Sequence, residues 1–154
     1  MTGRCDLPTL QEDLEHHPSY VINHLASLGQ ADQARLLEPT GLSLLMVRTL
    51  TVLSIEDGLT ISEIAARSFS EQSTTSRTID AMVNAGLLER RTPVGDQRRR
   101  EVVLTAAGRA KMLAVWPLME RHRASLTAGI DAGDLAVCGR VLAAMIGNLR
   151  GGQG

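Results

Sequence analysis

Aromatic side chains are nearly missing from this sequence. Trp116, Tyr20 and Phe69 are the whole set, 2% of 154 residues. A core must then be built from Leu, Val, Ile, Met and Ala, which suits packed helices better than a β-sandwich. Cysteine is scarce too, and Cys5 and Cys138 are too few for a disulfide framework. No uninterrupted apolar run reaches the ~18 residues of a membrane span. The acidic start, MTGRCDLPTLQEDLEHH, lacks the basic-then-apolar layout of a secretory signal. These absences lead to the expectation of a cytoplasmic protein with no membrane partner. No nucleophile elbow, phosphate loop, paired-histidine metal motif or glycine-rich dinucleotide turn is found. Neither an enzyme nor a bound cofactor is therefore expected.

Net charge is almost absent, at −1, and lysine is reduced to Lys111, the other 15 of 16 basic residues being arginine. The neutrality conceals an uneven distribution. Residues 87–111 hold Arg90, Arg91, Arg98, Arg99, Arg100, Arg109 and Lys111 against Glu89, Asp96 and Glu101. The first 20 residues run the other way, with Arg4 against Asp6, Glu12, Asp13 and Glu15. A basic patch on a neutral chain is either a solvated loop or the electrostatic footprint of a polyanion.

At 44% apolar content the chain can bury a real core, as one domain or as a small domain with an oligomerisation element. Asp6 and Pro8 fit the opening of a short helix. Pro18 restarts the chain, and Val21, Leu25, Leu28 and Leu36 line a helix that Pro39-Thr40-Gly41 ends. Ser43 caps a second helix that stops at Gly58, with Leu45 or Met46, Leu50 and Leu53 inward. Leu59-Thr60 is a short extended piece. Thr60 to Glu63 has the form of a capping box opening the helix ISEIAARS. The next helix, STTSRTIDAMVNAG, turns Thr75, Ile79, Met82 and Val83 inward and ends at Gly86. LLERRT and REVVLT flank PVGDQRR, a predicted β-hairpin. Thr105 caps a long helix over 106–126, where Pro117 predicts a kink. A last helix starts near Asp131 or Asp134. Its Leu135, Cys138, Leu142, Met145 and Leu149 form a heptad-like seam that Val137, Val141 and Ile146 widen. So much apolar circumference needs cover on several sides, which a second copy of the chain would supply.

This order of elements is a winged helix, mainly α with a small β-wing. The second helix of a helix-turn-helix fits the ~12 Å major groove of B-DNA, its first residues reaching base edges. Here those residues are Ser73, Thr74, Ser76 and Arg77, small hydroxyls with one guanidinium. In the hairpin, Arg98 suits a narrow, negative minor groove. Strand alternation would put Arg98 and Arg100 on one face with Val102, and Arg99 on the other with Glu101 and Val103. Arg99 and Arg100 then meet phosphates or flanking acids. Arg91 joins the candidate contacts at the end of the first wing strand.

From Gly41 to Gly108 the sequence resembles the MarR family of bacterial transcriptional regulators. The most specific match is D-x-R followed by L-T-x-x-G, carried by Asp96, Arg98, Leu104, Thr105 and Gly108. Leu59, Glu63, Ala65, Ser73, Thr74, Arg77, Asp80, Gly86 and Leu87 also stand where the family usually has them. The resemblance implies a homodimer on a pseudo-palindromic operator in double-stranded DNA, with N- and C-terminal dimerisation helices in 1–40 and 106–154 around a winged helix-turn-helix DNA-binding lobe in 41–105. It implies a minor-groove role for Arg98 with Asp96 holding it, and a pocket whose small-molecule effector lowers DNA affinity. The sequence departs from the pattern at Phe69, where the family has a turn glycine, and at Ser68 and Thr75, which replace apolar residues. Glu71-Gln72 also replaces the common Ser-Pro helix start. A phenylalanine does not readily take positive φ, so either the turn differs or Phe69 packs against something.

By position, the candidates to meet an anionic or aromatic effector are His24, Arg48, Trp116 and His122. Each also has a plainer reading as a surface, core or ion-paired residue. Three rival readings remain. A thiol-based redox-sensing repressor would use Cys5, since Cys138 is expected to be buried and inert. A zinc site would use His17 and His24, near Glu15 and His16, but without tight ligand spacing. A winged helix that binds protein instead of DNA would need neither the wing arginine nor the hydroxyl-rich helix start.

Overall fold

The computed structural model describes residues 14–93, 95, 96 and 98–151. Helix α1 is Pro18–Leu37, followed by a 3-10 turn over Glu38–Thr40. Then come α2 (Leu44–Ile55), α3 (Ile61–Ser68) and α4 (Gln72–Asn84). Strands β1 (Leu88–Arg91) and β2 (Glu101–Leu104) pair antiparallel, with Leu88 opposite Leu104 and Arg91 opposite Glu101. Helices α5 (Ala106–Leu126) and α6 (Ala132–Gly151) complete the chain. It is the winged helix the sequence predicts. The short helix expected after Asp6 falls mostly on residues 1–13, outside the described residues, as does Cys5.

Local chemistry sets most boundaries. The Ser43 hydroxyl accepts from the Met46 N–H at 3.2 Å and starts α2. Thr60 and Glu63 form the complete capping box at α3. Thr105 accepts from the Gly108 N–H at 3.0 Å and starts α5. Asp131, not Asp134, caps α6, accepting from the Gly133 N–H at 2.7 Å. Helix α5 runs through Pro117, whose ring nitrogen donates no ladder bond.

The chain divides into two compact units, with the boundary between Met119 and Glu120 inside α5. The core of the first unit is mostly aliphatic, with Thr49, Ser68 and Thr75 buried in it. Leu37, Leu50, Leu53, Leu59, Ile64, Ile79, Met82, Leu88, Val102 and Val115 are all fully buried. Val47 and Thr49 add to the inner face of α2, beyond the Leu50 and Leu53 expected there. Leu59 bridges to Val102, so the extended piece before α3 lies along the base of the wing.

Two helices leave apolar surface uncovered. On α1, Val21, Leu25 and Leu28 are each about half exposed, and only Leu37 is buried. On α6 no residue is buried, and Val137, Val141, Ile146 and Leu149 lie open. Cys138, expected to be buried, is exposed, on a helix none of whose residues is buried among the described residues: an apolar seam is buried only where a surface covers it. By length and composition α6 would suffice to cross a bilayer. Arg140 near its middle would be costly there.

The turn between α3 and α4 resolves the question raised by Phe69. The residue takes φ 54° and ψ 47°, the left-handed conformation of a glycine. The N–H of Ser70 closes back onto the Ala65 carbonyl at 3.1 Å, a Schellman end to α3. Helix α4 ends the same way around Gly86, with the Leu87 N–H on the Met82 carbonyl at 2.9 Å. The turn therefore keeps the glycine geometry and Phe69 bears the strain, the residue being 84% exposed. Left-handed backbone costs a residue with a Cβ roughly 1–2 kcal/mol. Phe69→Gly should raise unfolding free energy by about 1 kcal/mol, part of the gain being offset by glycine's extra unfolded-state entropy. A thermal melt checks it, and an unchanged or lowered midpoint contradicts the strain argument.

The other departures have distinct fates. The Thr75 hydroxyl is buried but satisfied, pairing with Ser70 Oγ at 2.6 Å and donating to the Glu71 carbonyl at 3.1 Å. It ties the turn to the first turn of α4, where Glu71 supplies no side-chain cap. Ser68 is buried with its hydroxyl unpartnered among the described residues, and Thr49 is alike.

Candidate nucleic-acid interface

Helix α4 carries the first half of the candidate interface. Burial of Thr75, Ile79 and Met82 fixes its rotation. Ser73, Thr74 and Arg77 are left exposed, with Ser76 half-buried. Among the described residues the only bond of the Arg77 side chain is a long one, 3.4 Å, from Nε to the Ser73 carbonyl. The hydroxyl-rich start and the arginine thus stand together at one end of an otherwise anchored helix.

The wing carries the second half, and its arginines differ. Residues 98–100 lie before β2, so strand alternation does not govern them. Asp96 Oδ1 accepts from the backbone N–H groups of Arg98 at 3.0 Å and Arg99 at 3.2 Å, folding the tip into an Asx-type turn. Asp96 therefore holds the main chain at Arg98 and leaves its side chain alone. Among the described residues the Arg98 guanidinium, which is exposed, makes no hydrogen bond or ion pair. Arg100 donates to the Thr92 hydroxyl across the hairpin.

Arg91 and Arg99 are engaged by acids. Arg91 Nε donates to Glu101 Oε2 at 3.1 Å, and Arg99 Nε to Glu101 Oε1 at 3.0 Å. The bond from Arg91, then that from Arg99, holds the Glu101 carboxyl below its ordinary pKa. The Glu63 carboxyl is lowered first by the Thr60 N–H, then by the Thr60 hydroxyl and Arg99. At neutral pH both are ionised, so these two arginines offer a polyanion less charge than the sequence count gives. Arg90 is likewise paired, with Asp80 of α4.

The wing's base is fixed through two backbone N–H groups of β2. The Val102 N–H donates to the Leu59 carbonyl at 2.8 Å, and the Leu104 N–H to Asp57 Oδ1 at 3.0 Å. The sequence reading did not single out Asp57. Its acidic side chain just before a turn glycine was the available signal, but its partner lies 47 residues away.

Three of the four effector candidates, His24, Arg48 and Trp116, belong to the first unit and line no common pocket there. Arg48, half-buried, lines a cavity of about 440 Å³ with Gln33, Thr51, Arg67, Phe69 and Met119 among others. Trp116 lines another, of about 450 Å³, with Thr51, Ile55, Arg109, Met112 and Leu113. His24 is exposed on α1, its ring 5.9 Å from that of Tyr20. His122 is buried, beyond the unit boundary. Sequence position missed Arg67 and Phe69 as cavity residues, since the end of α3 reaches Arg48 only through the fold. Among the described residues no three His, Cys, Asp or Glu side chains cluster in a way that would hold a metal.

Comparison with known proteins gives this geometry a context. No curated protein matches the chain by sequence. The family model described as MarR family matches residues 40–99, spanning the end of the 3-10 turn to the wing. A MarR family transcriptional regulator from Silicibacter pomeroyi is 32% identical, with 92% of this chain and 96% of that one covered at a TM-score of 0.80. MepR of S. aureus, solved as a DNA complex, shares the fold at 20% identity, with 87% and 99% covered and a TM-score of 0.78. A MarR family protein of Mycobacterium tuberculosis, solved with salicylic acid, does so at 22% identity, with 92% and 98% covered and a TM-score of 0.69. With that identity carried over nearly its whole length, and with the winged helix in place, the chain belongs to the MarR family of transcriptional regulators, which are not enzymes.

Proposed function

We propose that this regulator is a cytoplasmic homodimeric repressor that binds a pseudo-palindromic operator in double-stranded DNA and is released by a small-molecule effector. The observation that carries the DNA reading is the exposed Arg98 at the wing, unpaired among the described residues, together with a helix that opens with exposed Ser73, Thr74 and Arg77 and half-buried Ser76. A protein-binding winged helix needs neither. MepR, of the same fold, was solved with DNA. On this reading Ser73, Thr74, Ser76 and Arg77 meet base edges and backbone in the major groove, Arg98 enters the minor groove, and Arg100 meets phosphate.

The dimer is supported by the uncovered apolar faces of α1 and α6. We assign dimerisation to 1–40 and 106–154 and DNA binding to 41–105. The effector reading is supported by Arg48, half-buried beside apolar Leu44, Val47, Val52 and Met119 and without a hydrogen bond or ion pair among the described residues. An anion on an apolar frame matches that lining. The relative from M. tuberculosis was solved with salicylic acid.

The test is selection of duplexes from a randomised pool, with sedimentation of the free protein. Selected sequences should contain inverted half-sites about one helical turn apart, bound by a dimer, with affinity falling steeply as salt rises. A flat salt response, or no selected sequence, would favour the protein-binding alternative. Aromatic carboxylates that bind only the folded state should raise the melting temperature, and Arg48→Met should abolish that shift.

A further inference from the structure

Arg99 is a wing arginine turned back onto the helix-turn-helix. Its Nε donates to Glu101 Oε1 at 3.0 Å. Its Nη2 donates to Glu63 Oε2 at 3.1 Å and reaches the Gly58 carbonyl at 3.4 Å. Glu63 is itself held at the start of α3, where the Thr60 N–H donates to it at 2.7 Å and the Thr60 hydroxyl at 2.8 Å. The other oxygen of Glu101 takes Arg91 at 3.1 Å. Charges alternate from Arg91 on β1, through Glu101 on β2 and Arg99 before it, to Glu63 on α3. The row is neutral, so it offers phosphate little net attraction.

A hairpin of two four-residue strands has little stability of its own. Its base is pinned by Leu59 and Asp57, but the bonds there reach only Val102 and Leu104. Arg99 provides a tie nearer the tip, one residue from Arg98. A guanidinium spanning two carboxylates and a carbonyl fixes orientation as well as distance, because its planar fork is rigid. We propose that Arg99 is a positioning residue for DNA binding. By clamping the wing to the start of α3 it presents Arg98 in its groove-entering pose, so that less ordering cost falls due on binding. This inference rests on the DNA-binding reading above.

The two possible roles of Arg99 predict opposite signs for one variant. Glu63→Gln keeps the capping box, since glutamine serves at that position, but weakens the tie to Arg99. If Arg99 instead gripped phosphate, removing the Glu63 charge would tighten DNA binding by relieving repulsion. If Arg99 positions the wing, Glu63→Gln weakens binding, by about tenfold. Arg99→Met should weaken it similarly while leaving the slope of affinity against salt unchanged. Loss of a phosphate contact would instead lower that slope by about one. The two substitutions together should cost no more than either alone.

The experiment measures wild type, both variants and the double variant on a duplex selected by the wild-type protein, across a salt series. Amide exchange of the wing is followed in the same proteins without DNA. Faster wing exchange with weaker binding at an unchanged salt slope is the expected result. Tighter binding by Glu63→Gln, a reduced slope for Arg99→Met, or unchanged wing exchange would overturn the proposal. Failure of the wild type to select any duplex would instead remove the DNA reading, while the exchange data would still report whether Arg99 holds the wing.

Discussion

Replacing Gly108 by alanine is expected to destabilise the winged-helix lobe by about 3 kcal/mol, more than any surface substitution in the chain. A Cβ at this position would lie 2.0 Å from the Leu87 carbonyl oxygen and 3.0 Å from its carbon. The obstacle is backbone, so no side-chain rotation relieves it. Nor is the Leu87 carbonyl free to move, because it accepts the Thr105 N–H at 3.2 Å and the Thr105 hydroxyl at 3.0 Å. The first turn of α5 therefore sits directly on the strand entry after α4. Either α5 lifts away or these two bonds break. For a chain of this size the melting temperature should fall by roughly 6–12 °C. A midpoint within about a degree of wild type would show that the close approach is not maintained in solution. The glycine of the L-T-x-x-G pattern thus has a steric reason.

The second large effect belongs to Arg98. Arg98→Ala should leave stability within about 0.5 kcal/mol of wild type, since the side chain is exposed and makes no bond among the described residues. Operator affinity should fall by about 10- to 100-fold for each lobe engaged, the range for losing one specific groove contact. The salt slope should also fall, because a guanidinium in a narrow minor groove displaces counterions. Fluorescence anisotropy with a selected duplex measures both quantities. Equal affinity of variant and wild type would remove Arg98 from the interface. Arg98 and Arg99 are adjacent in sequence yet predict different salt behaviour, so the pair separates reading DNA from holding the reader.

The sequence by itself determined what short-range chemistry decides. The Thr60–Glu63 capping box, the Ser43 and Thr105 caps and the left-handed end at Gly86 each depend on residues a few positions apart, and all form. Leu50, Leu53, Ile79 and Met82 are buried because helical spacing puts them on one face, and near-absence of aromatics already pointed to an aliphatic core. Asp96, Arg98, Leu104, Thr105 and Gly108 sufficed to place the wing. Only the tertiary structure decided where side chains meet across long separations. Arg99 finds Glu63 across 36 residues, and Asp57 finds the Leu104 N–H across 47. Arg48 and Trp116, both pocket residues by position, line adjoining cavities that share Thr51 and Ile55 once α2 and α5 are packed. Cys138 lies on an apolar seam, yet it is exposed because burial needs a covering surface as well as an apolar pattern. Phe69 shows the same limit at the backbone. Local preference argues against φ 54° for phenylalanine, but α3 and α4 share a buried core through Ile64, Ile79 and Met82, and the turn between them follows that packing.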